Sequence, residues 1–281
     1  MAKKLSGKTV LVTGGSRGLG LALAREFARQ GARLALAARD GEELERAKTA
    51  LLKVGLAGPG DVLTIMADVA QREDAERMIA EATTHFGAVD VLVNNAGIIC
   101  VGPVEAQTAE NFEQAMQVNY LGMVYACLAV MPQMLARRGG QIVNIASVGG
   151  KMAVPHMLPY TASKFAAVGF SEGLHAELRA KGVRVTTVCP GLMRTGSAPQ
   201  AKLVGDREAE YKWFSTAAET PVLACSAERA ARRIVGAAMR GQAEVSVTLS
   251  SYAAARAVGL APGLMQWVLS RVNEWILPQV K

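Results

Sequence analysis

The chain has 281 residues, of which 51% are hydrophobic and 20% charged, and its formal net charge is +7. This length and composition fit one large α/β domain or two small ones with a full hydrophobic core. The basic residues are spread along the chain and form no block, which argues against a nucleic-acid-binding protein and favours attraction of anionic ligands.

The cysteines and the first residues indicate what kind of protein this is and in which compartment it folds. Four cysteines lie far apart without a C-x-x-C pair, which argues against a zinc site and against a disulfide framework. We therefore expect no bound metal, buried thiols and a reducing, cytoplasmic location. The first residues lack the apolar core of a signal peptide, and no stretch approaches ~18 uninterrupted apolar residues, so we expect no spanning helix.

The first element is an apolar run over 8–13 that predicts a strand. It leads into a glycine-rich turn, G-G-S-R-G-L-G, and then into a helical pattern over 21–31. Strand, glycine turn and helix form the context in which such glycines bind a dinucleotide. Gly14 would permit the tight turn, Gly18 the approach of a pyrophosphate, and Gly20 the close packing of helix on strand. Unpaired N–H groups at the helix start would attract the phosphates.

The second predicted strand starts at Arg33 and ends at Ala38, and Arg39 follows at once. In a dinucleotide-binding fold the end of this strand meets the adenosine ribose, where an acidic residue would bind the 2′-hydroxyl and repel a 2′-phosphate. Arg39, with Arg17 from the glycine turn, suits a phosphate dianion instead, so we predict NADP(H). The alternative is that Arg39 is solvated and Asp40 binds the ribose.

Helical and strand patterns alternate through the rest of the chain. Helices are predicted over 42–54, 72–86, 109–137, 159–181 and 227–240, and strands over 62–69, 89–94, 141–147, 183–189 and 244–248. This alternation predicts the α/β class: a Rossmann-type, doubly wound, mostly parallel sheet of about seven strands with helices on both faces, in one domain over 1–250.

A C-terminal extension, 251–281, follows this domain. It predicts two helices, over 252–260 and 264–277, and the second carries an apolar stripe. Three interpretations stay open. The extension packs on the core or on a partner subunit, it closes the substrate cavity, or it lies in a membrane interface.

A Ser, a Tyr and a Lys stand around the predicted helix over 159–181. Tyr160 and Lys164 are four residues apart, which stacks both side chains on one helix face. A Lys cation there favours the phenolate, so we expect the pKa of Tyr160 to fall and the residue to act as a general acid/base. Ser147 ends the strand before this helix, where open sheets present ligands, and its hydroxyl could hold a carbonyl oxygen. Alternatively, the three are surface residues around a loop.

In their order and spacing, the glycine turn, the N-N-A-G segment at 94–97, Ser147 and Y-x3-K resemble the short-chain dehydrogenase/reductase family over roughly 5–250. The resemblance implies an NADP-preferring member with a C-terminal helical extension. It also implies that Asn119 orders a water linking Lys164 to solvent, with a satisfied core Asn as the alternative, and that Asn95 mainly supports the sheet.

The family pattern implies the following site. The catalytic residues are Ser147, Tyr160, Lys164 and Asn119. The cofactor-binding residues are Gly14, Ser16, Arg17, Gly18, Leu19, Gly20, Arg39, Asp68, Val69, Asn94, Ala96, Gly97, Tyr160, Lys164, Pro190, Gly191, Met193 and Thr195.

The implied activity is that of an NADPH-dependent carbonyl reductase or hydroxyl dehydrogenase. Met152, Val154, Met157 and Leu192 indicate an apolar pocket for a small apolar carbonyl or alcohol substrate, which could be a lipid, a steroid, an aromatic ketone or a small terpenoid. Residues 195–225 are predicted to be a substrate lid, or else a surface helix whose aromatic residues pack on the sheet. His156 could contact the substrate or be an ordinary loop residue.

The sequence also leads to expectations for the oligomeric state, the location and the alternative functions of the protein. Family resemblance implies a homodimer or homotetramer built through helices 109–137 and 159–181. A peripheral membrane location is the alternative to the cytoplasm. The rival functions are a non-catalytic NADP-binding regulator on the same fold, and a dehydratase or epimerase on a related fold.

Overall fold

In the computed structural model, which describes residues 4–196, 198–220 and 224–278, seven strands form a parallel sheet. They are β1 Thr9–Thr13, β2 Arg33–Ala38, β3 Val62–Met66, β4 Val91–Asn94, β5 Gly140–Ile145, β6 Val183–Cys189 and β7 Glu244–Ser246. Their order across the sheet is β3-β2-β1-β4-β5-β6-β7, and every neighbouring pair is parallel. The predicted doubly wound sheet is confirmed.

Ten α-helices accompany the strands in the described part of the chain. They are α1 Gly18–Arg29, α2 Gly41–Lys53, α3 Arg72–Phe86, α4 Ala109–Met116, α5 Gly122–Ala136, α6 Leu158–Leu178, α7 Arg207–Glu219, α8 Ala227–Met239, α9 Leu249–Leu260 and α10 Pro262–Trp275. Helices α1, α2 and α8 cover one face of the sheet, and α3, α5 and α6 cover the other.

The strands supply apolar side chains to both faces, as the strands of a parallel sheet must when helices cover each side. In β1, Val10 and Val12 belong to the core under α1 and α8, whereas Leu11 belongs to the core under α3 and α5. All three are fully buried. This explains why the strands read as continuous apolar runs without alternation.

The helix predicted over 109–137 contains a π-helical turn. Gln117–Leu121 joins α4 to α5 without breaking the helical path, and it carries Asn119. Such turns often occur at functional sites. Among the described residues, the segment Ala109–Ala136 is long and apolar enough to cross a membrane by length and composition. Cys127, Val130 and Met134 are fully buried in the sheet core, so core packing accounts for its apolar character.

The region after β6 is the least regular. Met193–Arg194 pairs with Cys225–Ser226, and Lys202–Leu203 pairs with Cys100–Val101. Helix α7 packs against one strand of each pair, Met193–Arg194 and Lys202–Leu203. Ser197, Pro221, Val222 and Leu223 of the predicted lid lie outside the described residues.

The C-terminal extension forms the two expected helices. Helix α9 begins at Leu249, where Thr248 Oγ1 accepts a 3.1 Å hydrogen bond from the amide of Ser251. Helix α10 buries none of its side chains, and Trp275 on it is 77% exposed. The two helices therefore differ: α9 is anchored on the domain, and α10 leaves its apolar stripe open.

Candidate active site

The glycine turn between β1 and α1 is closely packed on its neighbours. A Cβ on Gly20 would lie 1.9 Å from the carbonyl oxygen of Gly14 and 2.7 Å from Nδ2 of Asn95. Gly14 itself has φ +61°, the left-handed region that favours glycine. Arg17 precedes α1 without a side-chain cap, and the first turn holds no acidic residue. The N–H groups there remain open, so the turn fits a pyrophosphate.

A cavity of about 1130 Å³ opens at the carboxyl ends of the strands. Every predicted cofactor residue except Asn94 lines this cavity, and so do Ser147, Tyr160 and Lys164. Parallel strands place their carboxyl ends at one edge of the sheet, which is why residues far apart in sequence meet here. The expectation that Ser147, Tyr160 and Lys164 converge is therefore supported, and they are not scattered around a surface loop.

Asn94 and Asn95 point in opposite directions from the end of β4. Asn94 is buried, and its Nδ2 donates to Oδ1 of Asn144 at 2.9 Å and to Sγ of Cys127 at 3.2 Å. Its side chain thus faces the interior, and the predicted cofactor contact is not supported for it. Asn95 lines the cavity while its Nδ2 donates to the carbonyl oxygens of Thr13 and Gly14. The supporting role predicted for Asn95 agrees with these bonds.

Two arginines and one glutamate that the sequence did not reveal meet at the end of β2. Arg17 and Arg39 line the cavity there. Glu43, in the first turn of α2, accepts a 2.9 Å hydrogen bond from Nη1 of Arg17 and a 3.0 Å bond from Oγ of Ser16. Asp40 caps α2 by accepting from the amide of Glu43 at 2.9 Å. The carboxylate of Glu43 therefore already accepts hydrogen bonds from Ser16 and Arg17, two of the side chains expected to meet a 2′-phosphate. Only the helical register of α2 against the glycine turn reveals it.

Ser147 and Tyr160 are neighbours at the centre of the cavity. Oγ of Ser147 accepts a hydrogen bond of 3.0 Å from the amide of Gly149. A Cβ built on Gly149 would lie 3.4 Å from both Ser147 Oγ and Tyr160 Cε1. Burial raises the pKa of Tyr160, and its hydrogen bond with Ser147 only partly opposes that rise. The expected lowering is wrong for this geometry, because burial disfavours the phenolate.

Lys164 lies one helical turn beyond Tyr160, but its ammonium group is directed towards the backbone of β5 and not towards the tyrosine hydroxyl. Its Nζ donates to the carbonyl oxygen of Ile145 at 2.9 Å and lies 5.7 Å from the centre of the Tyr160 ring. Burial lowers the pKa of Lys164 from 10.5 to about 8. Nζ is turned towards the carbonyl oxygen of Ile145, so burial, and not the charge of Lys164, dominates the pKa of Tyr160.

Asn119 is buried and fully hydrogen-bonded. Its Oδ1 accepts from the amide of Ile98 at 2.8 Å, and its Nδ2 donates to the carbonyl oxygen of Ile98 and to Oγ of Ser163. These bonds satisfy the amide, as in the alternative interpretation. A Cβ on Gly97 would lie 2.9 Å from Asn119 Oδ1 and 3.6 Å from Lys164 Nζ, so the two side chains flank one point. The water-ordering role stays a prediction.

The far end of the cavity is apolar. Its lining includes Met152, Val154, Met157, Trp213 and Phe214. Several of these form one small cluster with Tyr160, separate from the two sheet cores. The first two turns of α9 contribute Ser250, Ser251 and Ala254 to the same lining. One of the three interpretations of the C-terminal extension, closure of the cavity, therefore applies to α9.

Together, this parallel sheet, this glycine turn and this cavity define a dinucleotide-dependent oxidoreductase. Residues 8–203 match the family model described as short chain dehydrogenase. The chain accordingly belongs to the short-chain dehydrogenase/reductase family, oxidoreductases that act on CH–OH or C=O groups with a nicotinamide cofactor.

Similar proteins come from an insect, a mammal and a bacterium. The chain is 34% identical over 271 residues to the Drosophila melanogaster dehydrogenase/reductase SDR family protein 7-like, covering 95% of this chain and 81% of the relative. It is 36% identical over 261 residues to 3-ketodihydrosphingosine reductase of Mus musculus, covering 92% and 76%. A solved family member from Burkholderia phymatum in complex with NAD superposes with a TM-score of 0.84, at 27% identity, covering 93% of this chain and 96% of that one.

Proposed function

We propose that the protein is an NADPH-dependent reductase of ketones or aldehydes, which also oxidises the matching alcohols. The observation that carries the proposal is the meeting of Ser147, Tyr160 and Lys164 in one cavity with the open glycine turn. The mouse 3-ketodihydrosphingosine reductase, a relative, is a ketone reductase by name. Levodione reductase, a solved structure at 29% identity with a TM-score of 0.79, covering 89% of this chain and 99% of that one, is likewise a reductase by name.

The preference for the phosphorylated cofactor rests on charge at the end of β2. Arg17 and Arg39 both line the cavity there, and guanidinium groups bind phosphate dianions through paired hydrogen bonds. One carboxylate oxygen of Asp40 accepts the capping hydrogen bond of α2, which leaves Asp40 less able to bind ribose hydroxyls. Glu43 opposes the preference, because its carboxylate pairs with Arg17.

The cofactor, when bound, supplies the hydride that the substrate carbon receives. The substrate oxygen lies between Ser147 and Tyr160 and accepts a hydrogen bond from each hydroxyl. Tyr160 donates its proton to that oxygen, so that the carbonyl becomes an alcohol. Its raised pKa keeps the phenol protonated until the reaction occurs. Lys164, whose pKa is about 8, would hold the nicotinamide ribose of the bound cofactor. A water beside Asn119 would return the proton to Tyr160 through Lys164.

The substrate is a small-molecule carbonyl compound that carries a bulky apolar group. Methionine, valine and aromatic side chains line the end of the cavity beyond Tyr160, and apolar walls with few polar groups are typical of such sites. We also propose a homodimer or homotetramer built through α4, α5 and α6, as family members form oligomers.

The first experiment pairs cofactor binding with turnover. NADPH and NADH are titrated by fluorescence into wild type and Tyr160→Phe, and both proteins are assayed on a panel of ketones and aldehydes. We expect tighter binding of NADPH, turnover by wild type, and a loss of turnover without loss of binding in Tyr160→Phe.

Other outcomes would separate the parts of the proposal. Turnover that prefers NADH would refute the cofactor assignment and leave the chemistry intact. Tight NADPH binding by wild type, with no turnover of any carbonyl, would favour a non-catalytic NADP-binding regulator. Undiminished turnover in Tyr160→Phe would refute the assignment of the acid.

A further inference from the structure

A buried polar cluster joins helix α7 to the loop before α6. Glu210, on α7, is 1% exposed, and His156, in the loop, is 7% exposed. Oε1 of Glu210 lies 2.7 Å from Nδ1 of His156, and Oε2 accepts a 2.5 Å hydrogen bond from Nε1 of Trp213. A buried carboxyl group is costly unless donors replace its hydration, and here each oxygen has one.

The backbone of His156 adopts a conformation that needs support. Its φ is +61°, in the left-handed region that few residues other than glycine adopt. Such a conformation is unfavourable and persists where surrounding contacts hold it. Two contacts do so: the side chain meets Glu210, and the carbonyl oxygen accepts a 2.7 Å bond from the amide of Gly102. The loop is thus fixed from both sides, four residues before Tyr160.

His156 and Glu210 lie behind the cavity wall. Neither lines the cavity, whereas their chain neighbours Met157, Trp213 and Phe214 do. The Trp213 ring stands edge-on to His156 at 6.4 Å and to Phe214 at 5.9 Å. Phe214 is buried and clusters with Met157 and Tyr160. The polar cluster therefore sets where the aromatic wall stands relative to Tyr160.

We propose that His156 and Glu210 are positioning residues that hold the Trp213–Phe214 wall over Tyr160 and so adapt the site to bulky apolar carbonyl substrates. This inference rests on the proposed reductase function. Released from Glu210, α7 loses its buried polar contact to the loop, and the wall no longer holds a large substrate in place. A small carbonyl compound needs little of the wall and is affected little.

The test compares Glu210→Gln with Glu208→Gln, an exposed glutamate on the same helix. Both are made in a Trp267→Phe/Trp275→Phe background, which leaves Trp213 as the single tryptophan. In Glu210→Gln we expect about a tenfold rise in KM for a bulky aryl ketone with kcat within about twofold, because uniform binding is lost. For a short aliphatic ketone, kcat/KM stays unchanged. Acrylamide quenching of Trp213 rises by about twofold or more, and cofactor binding is retained. Glu208→Gln matches the background protein in all respects.

The quenching measurement does not depend on the reaction. If the background protein turns over no carbonyl, the proposed function fails, while the position of the wall is still decided by quenching. Unchanged quenching in Glu210→Gln, or an equal loss of kcat/KM on large and small ketones, would overturn the inference.

A second pair of variants covers the case in which Glu210→Gln does not fold. His156→Asn keeps an N–H donor and tolerates positive φ, whereas His156→Ala does neither. We expect the Asn variant to resemble the background protein, and the Ala variant to show the raised KM and the raised quenching. Identical behaviour of the two would equally overturn the inference.

Discussion

Replacing Lys164 by Met should make the cofactor-free protein more stable at neutral pH. In the folded chain the pKa of Lys164 falls from 10.5 to about 8, because burial disfavours the cation. A shift of this size corresponds to an unfavourable contribution on the order of 3 kcal/mol at pH 7. Met has a similar length and no charge, so it avoids this penalty. The lost bond from Nζ leaves the carbonyl oxygen of Ile145 without that donor, which costs about 1 kcal/mol.

The expected net gain is about 2 kcal/mol in the free energy of unfolding at pH 7. Its pH dependence has a definite sign. Below pH 8 the folded state must carry the buried cation, so the full penalty applies to wild type. Between pH 8 and 10.5 the folded lysine is neutral while the unfolded one is still charged, and the penalty fades. The advantage of Lys164→Met should therefore shrink as the pH rises through this window.

Urea unfolding of wild type and Lys164→Met at pH 7, 8, 9 and 10 measures this difference. Lys212→Met, at an exposed position on α7, is the control for the exchange of Lys for Met. A variant less stable than wild type at pH 7, or a stability difference that stays constant up to pH 10, would refute the reasoning. Turnover should be lost in the Lys164 variant, so stability and activity move in opposite directions.

Three further substitutions test the cofactor site. Glu43→Gln should tighten NADPH binding about three- to tenfold in a fluorescence titration and leave NADH unchanged, because the carboxylate holds Arg17 and repels a phosphate; weaker NADPH binding would contradict this. Arg39→Asp should swing the NADPH/NADH ratio of kcat/KM towards NADH, and an unaltered ratio would count against the NADP assignment. Gly20→Ala should abolish cofactor binding and lower the melting temperature, since its Cβ would meet backbone at 1.9 Å. Gly173→Ala, with open space around the new methyl group, should instead stabilise α6 by roughly 0.5–1 kcal/mol; equal behaviour of the two glycine variants would exclude a steric role for Gly20.

The strands and helices were predictable because their signals are local. Apolar runs of strand length alternate with helical periodicity, and this alternation leads to a parallel, doubly wound sheet. The glycine turn was equally readable, since its residues are contiguous and their geometry is set by backbone freedom. The π-helical turn at Gln117–Leu121 was not predicted. It adds a residue to a turn without altering the apolar pattern around it.

The sequence did not show the direction or the burial of individual side chains at the site. Asn94 and Asn95 are adjacent, and the sequence assigned cofactor contacts to Asn94, Ala96 and Gly97 and a supporting role to Asn95. In a strand, successive side chains point to opposite sides, and here Asn94 faces Asn144 in the interior. The pKa of Tyr160 was expected to fall because of the spacing to Lys164. Burial acts on both groups at once, and the sequence carries no measure of it.

The sequence by itself determined the family, the sheet and a set of site residues, nearly all of which line the cavity. These depend on contiguous motifs and on the rule that parallel strands end at one edge. Only the tertiary structure decided which residues act on one another across the chain. Glu43 meets Arg17 through the packing of α2 against the glycine turn. His156 meets Glu210, 54 residues away, because α7 folds back over the loop before α6. Contacts of this kind leave no periodic signal, since they depend on how separate elements pack.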